Sequence, residues 1–208
     1  MGILHKDWRR EVKSSDIAWY IPEKCDTIPK LRGESRHGLG LGGPRGAARI
    51  RRHGMRQSWL AQTPKGLGDL SSLFCGRQNC SPGDSVGPAV REHYLLHFCL
   101  SGRGVYQAQG RSYAVGPGEG FLILPGEVTS YRADQTEPWG HIWVGFDGSR
   151  AEELLHECGL GKEQRTYRCT APDRLDHCVR EMMRYETAGR GDELMLQAEL
   201  YDFLGWIA

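Results

Sequence analysis

Several things are scarce in this 208-residue chain, and each scarcity excludes something. No apolar run approaches the roughly 18 residues that a membrane-spanning helix needs. The N-terminus, MGILHKDWRR, carries charges where a secretory signal needs an apolar stretch. Net charge is nearly absent, at +1, so no overall field points to nucleic acid or an anionic lipid surface. The seven cysteines (25, 75, 80, 99, 158, 169 and 178) are odd in number and irregular in spacing. That excludes a paired disulfide framework and the usual zinc-knuckle pattern, and reads as reduced thiols in a cytoplasmic protein. Asn79-Cys80-Ser81 fits the glycosylation pattern, which carries no weight without secretion.

The balanced charge hides an uneven distribution. Residues 1–54 hold 12 Lys and Arg against 6 Asp and Glu, and the remainder holds 15 against 20. This first segment is rich in Gly and Arg and poor in apolar residues, so it cannot bury enough surface to offset the cost of ordering. It reads as a disordered or non-native extension, with Met55 as an alternative start. "GLGLGG" fits G-x-G-x-x-G only formally, because neither the strand nor the helix of a dinucleotide site flanks it. Arg49, Arg51 and Arg52 read as a solvated basic cluster rather than a phosphate site.

Residues 55–148 change character. Short β-rich runs recur at intervals of roughly 8–12 residues between Gly and Pro punctuation, the mark of a barrel or sandwich. "SLFCG" opens the series, "NCSPGDSVGP" is a loop, and "QGRS" is a hairpin turn. In "EPWGHIWVGFDG", Trp139, His141 and Trp143 share one face of a strand and Ile142, Val144 and Phe146 the other. In "REHYLLHFCLS" the same alternation sets Arg91, His93, His97 and Ser101 against Tyr94, Leu96, Phe98 and Leu100.

From residue 149 to 208 the period turns helical. Ser149 and Glu152 form a capping box, and Ala151, Leu154, Leu155 and Cys158 follow as a stripe that Gly159 ends. Leu175, Cys178, Val179 and Met182 repeat that stripe in a second helix starting near Pro172. "DELMLQAELYDFLGWIA" is apolar almost all round, so a neighbour must cover it. The chain stops within this helix, and more chain is expected to follow in a parent protein.

The loop "SGRGVY", the turn "PGEGFLILPGE" and the strand "PWGHIWVGF", taken together, resemble the N-terminal sensing domain of AraC-type transcription regulators. The likeness runs from about Leu70 to the C-terminus and is closest to the branch that senses sugars. It implies a mainly β fold with C-terminal helices, a cupin-like jelly roll holding a small effector, followed by a helical segment that forms a homodimer. Promoter DNA would be reached only through a helix-turn-helix domain outside this chain. The resemblance assigns His141, Trp143 and Tyr131 to the effector pocket. Where the arabinose regulator has an Arg, Ser101 stands here, so the effector differs or sits deeper.

The chemistry of those residues agrees. An indole suits the C–H face of a sugar, and His, Tyr and Ser suit its hydroxyl rim. His97 lies on the same face as Ser101, deeper in the barrel. Residues 55–75 are the candidate regulatory arm, and the last helix the candidate dimer face. The rival reading is a stand-alone cupin enzyme, an isomerase or dioxygenase. His93 and His97 are four apart, about 13 Å along a strand, too far for one metal with bonds near 2 Å. Thr129 stands where such enzymes place a further His. No cofactor, catalytic or metal-binding set emerges. A third reading is a dimerisation partner that titrates full-length regulators.

Overall fold

The computed structural model describes residues 69–185 and 191–208 with their side chains, and Ala48–Arg51 and Gln57–Ala61 as backbone. Residues 1–47, with the "GLGLGG" segment, lie outside the described residues. Ala48–Arg51, inside the segment expected to be unstructured, forms strand β1 and pairs antiparallel with β2, Gln57–Ala61.

The strands that follow are β3 (Ser71–Asn79), β4 (Ser85–Ala89), β5 (Tyr94–Ser101), β6 (Gly104–Ala108), β7 (Arg111–Val115), β8 (Glu119–Ile123), β9 (Thr129–Ala133) and β10 (Gly140–Asp147). A short β11, Thr166–Arg168, comes later. The larger sheet has the order β1-β2-β3-β10-β5-β8-β11 and the smaller β4-β9-β6-β7. These strands pair antiparallel throughout both sheets. This is the mainly β, two-sheet architecture with C-terminal helices that the sequence predicts.

Two elements escape the sequence reading. β4 runs through the end of the expected loop, and β11 returns to pair with β8 between the first two helices. The expected "QGRS" turn does form. Gln109 and Gly110 both have positive φ, 50° and 73°, as a two-residue hairpin matching the strand twist requires.

β10 sits between β3 and β5, and seven of its eight residues are buried. Its two faces serve different cores. Ile142, Val144 and Phe146 join Leu96 and Phe98 of β5 beneath the helices. Trp139 and Trp143 point between the two sheets, with Leu95, Tyr106, Phe121 and Ile123. Gly145 makes this possible, since a Cβ there would lie 2.4 Å from the Phe74 ring.

Helices α1 (Ala151–Glu157), α2 (Pro172–Met182) and α3 (Asp192–Ile207) cover the outer face of the larger sheet. The expected capping box at Ser149 is not formed. Arg150 occupies the N-cap without a side-chain cap bond, and its guanidinium pairs with Glu153 and Asp69 instead. The α2 stripe holds: Leu175, Cys178, Val179 and Met182 are all fully buried. On α3, Leu196, Leu200, Phe203, Leu204 and Ile207 are buried, while Leu194, Met195, Tyr201 and Trp206 stay exposed. No helix among the described residues is long and apolar enough to cross a membrane.

Candidate functional site

Four of the five side chains singled out in the sequence meet between the sheets. β10 pairs with β5 so that Trp143 faces His97 and His141 faces Cys99. Directly opposed residues share a face, so His97, His141 and Trp143 all point inward. Their rings are in contact. The His97 and His141 centroids lie 5.1 Å apart, His141 and Trp143 5.2 Å, and His97 and Tyr131 4.8 Å. Trp139 lines the same space, 5.5 Å from His141.

Ser101 is the exception, and the ladder explains it. The register slips between Gly140 and His141, so that Gly140 opposes Ser101 and Leu100 becomes an extra residue. A bulge of this kind reverses the alternation beyond it. Gly140 presents the face opposite to His141, and a Cβ there would lie 2.8 Å from the Ser101 hydroxyl. Ser101 is therefore exposed and turned away from the cluster, contrary to the expectation from strict alternation.

The two histidines form a coupled pair. His97 Nδ1 lies 3.1 Å from His141 Nδ1, and His141 Nε2 lies 3.6 Å from the Cys80 thiol. One Nδ1 must donate and the other accept. The two tautomeric arrangements are each self-consistent, because Cys80 can either donate to or accept from His141. His97 Nε2 is buried and has no partner. It is a lone-pair acceptor in one arrangement and an N–H donor in the other.

Both rings are neutral near pH 7. Burial holds His141 down at about 4. Burial, then the neighbouring His141 and the Arg91 charge, hold His97 well below its usual range. Burial also raises the Tyr131 phenol, opposed by Arg91.

Arg91, not among the five expected site residues, also borders the cluster. Its guanidinium lies 5.8 Å from the Tyr131 ring centroid and donates to the Thr129 hydroxyl at 3.3 Å. Arg91 and Tyr131 are half-buried, at the solvent side of the cluster, where His93 also packs edge-on to Phe74. The signal was available, since Arg91 shares the parity of His93 and His97.

The inward cluster is aromatic and closely stacked. Phe121 contacts both His97, at 4.6 Å, and Tyr106, at 4.4 Å. A separate surface concavity of about 440 Å³, bordered by Arg103, Val105, Gly116 and Arg132, includes none of the five expected residues.

The chain is 38% identical over 94 residues to the Msm operon regulatory protein of Streptococcus mutans, covering 45% of this chain and 34% of that protein. It is 35% identical over 86 residues to the raffinose operon transcriptional regulatory protein RafR of Pediococcus pentosaceus, covering 40% and 31%. These matches span about a third of each relative's length. A solved structure of the AraC-like transcriptional activator CuxR is similar at a TM-score of 0.46 and 18% identity, over 74% of this chain and 56% of that one. Residues 71–204, which hold both sheets from β3 onward and nearly all of the helical layer, match the AraC-like ligand binding domain, and the chain belongs to that family.

Proposed function

We propose that this chain is the effector-sensing and dimerisation part of a transcription regulator, and that its effector is a carbohydrate bound between the two sheets. The observation that carries the reading is the unpartnered, buried Nε2 of His97 amid Trp143, His141 and Tyr131. A buried polar atom without a partner costs about 1–3 kcal/mol, which a ligand hydroxyl would recover. A hydroxyl both donates and accepts, so it suits either tautomer of the histidine pair. Trp143 supplies a flat apolar face for sugar C–H groups, and Arg91 a guanidinium for oxygens at the rim. Two sugar-operon regulators among the relatives, for raffinose and lactose, support the choice of ligand class.

The effector enters beside Arg91, Tyr131 and Trp143, where the cluster meets solvent, and parts the stacked rings. That rearrangement gives ligand-free and ligand-bound forms different packing, which any effector needs if it is to shift an equilibrium. The exposed apolar residues of α3, Leu194, Met195, Tyr201 and Trp206, form the surface through which two copies associate. Promoter DNA is contacted by another part of the regulator, and the sensor itself catalyses nothing.

The test is a thermal-shift screen of the purified chain against mono- and oligosaccharides, repeated with His97→Leu and Trp143→Phe. A saturable rise in Tm with one sugar class, lost in His97→Leu, is expected. No stabilisation by any sugar, or equal stabilisation of the wild type and His97→Leu, overturns the assignment.

A further inference from the structure

Outside the barrel, α2 and α3 bring together a donor set that the effector reading does not use. Cys178 of α2 is fully buried, and its thiol lies 3.3 Å from Oδ2 of Asp202 on α3. Glu199, one turn before Asp202 on α3, is half-buried and reaches the same point. One ligand atom from each of Cys178, Glu199 and Asp202 falls within 4.8 Å of the others. Ligands of one tetrahedral zinc ion, with bonds of about 2.0–2.3 Å, stand about 3.3–3.7 Å apart. The cluster is thus already close to coordination spacing.

Two carboxylates are converging on one thiol proton, and the thiol points at them from a fully buried position. A divalent ion would take the place of that proton, which leaves to solvent as the thiolate binds.

We infer that Cys178, Glu199 and Asp202 form a divalent transition-metal site of the zinc class, clipping α2 to α3. One thiolate with two carboxylates selects a borderline ion over Mg²⁺ or Ca²⁺, which prefer oxygen alone. Water completes the shell. The site lies outside the barrel, so its ion plays no part in effector binding. It fixes α3 against α2 and thereby sets the orientation of the exposed α3 surface.

Isothermal titration of the metal-free, reduced chain with Zn²⁺ tests this, paired with Co²⁺ absorption spectra. The wild type is expected to bind one Zn²⁺ saturably, with no comparable heat from Mg²⁺, and to show a thiolate-to-cobalt charge-transfer band. Asp202→Asn, an exposed and sterically neutral change, is expected to weaken Zn²⁺ by at least about 10-fold, since loss of an outer-shell partner alone costs that much. Cys178→Ser is expected to remove the cobalt band, and Cys80→Ala to leave both readouts unchanged. The site is refuted by the absence of saturable Zn²⁺ binding, by an unchanged Zn²⁺ affinity in Asp202→Asn, or by loss of the band in Cys80→Ala. Should Cys178→Ser fail to fold, the Asp202→Asn and Cys80→Ala measurements decide alone.

Discussion

Acidification should loosen this domain through one identified ring. His141 is held at about 4 by burial, against its usual 6.5. Its folded pKa lies below its unfolded one, so as pH falls the unfolded chain takes up the proton first. Stability is therefore complete above about pH 6.5, declines as pH falls toward 4, and loses nothing more to this group below that. At about 1.4 kcal/mol per pKa unit, the loss near pH 5 comes to about 2 kcal/mol from His141 alone. That is a large share of the roughly 5–15 kcal/mol that holds a typical domain folded. It corresponds to a fall in Tm of about 4–8 °C for a chain of this size. Urea unfolding followed by circular dichroism, at pH near 7.5 and near 5 and at one protein concentration, measures it. The reference is His141→Gln, which cannot titrate. Wild type should lose about 2 kcal/mol more than the variant between the two pH values, whatever the variant's own stability. His97 and the carboxylates remain in both proteins and cancel to first order. Losses equal within about 0.5 kcal/mol would mean that His141 is hydrated, and the closed aromatic interior would be wrong.

Other substitutions probe the frame around that ring. Gly104→Ala would place a Cβ 2.3 Å from the Trp139 ring and 2.6 Å from the Arg132 carbonyl, so chemical denaturation should show a loss of about 2 kcal/mol or more. Arg165 is almost fully buried and pairs with Glu127, so Arg165→Met should cost about 3 kcal/mol. Adding Glu127→Gln should then recover part of that loss, and a strictly additive cycle would deny the pairing. Leu194 is 59% exposed on α3. Leu194→Glu should leave the unfolding free energy of the monomeric fold within about 0.5 kcal/mol of wild type. Analytical ultracentrifugation should show it shifting association toward the monomer, and an unaltered dimer would move the interface elsewhere.

How much of this was readable in the sequence depended on how local the governing rule is. The two faces of β10 followed from parity alone, because nothing interrupts that strand between Gly140 and Val144. Ser101 failed because one extra residue, Leu100, inverts the parity beyond it, and that slip is set by the pairing with Gly140 rather than by β5 itself. The Ser149 capping box failed because a nearby Asp69 carboxylate and carbonyl hold Arg150 and its backbone, a contact 81 residues back along the chain. β11 is three residues long and is stabilised by β8, so its own sequence carries little period. The Cys178, Glu199 and Asp202 grouping has no spacing motif, since it exists only where α2 crosses α3. Arg91 shares the face of His93 and His97 by parity, but its contacts with Thr129 and Tyr131 exist only where the fold brings β9 beside it.

The barrel interior also carries its own optical probe. Trp139 and Trp143 each lie within about 5.5 Å of the His141 ring. A protonated imidazole at that range quenches indole emission by accepting an excited electron, whereas a neutral one does so weakly. The brightness of these two indoles is thus tied to the charge and separation of the rings beside them. Protonation of His141 on acidification therefore announces itself in the protein's intrinsic fluorescence, with no label attached.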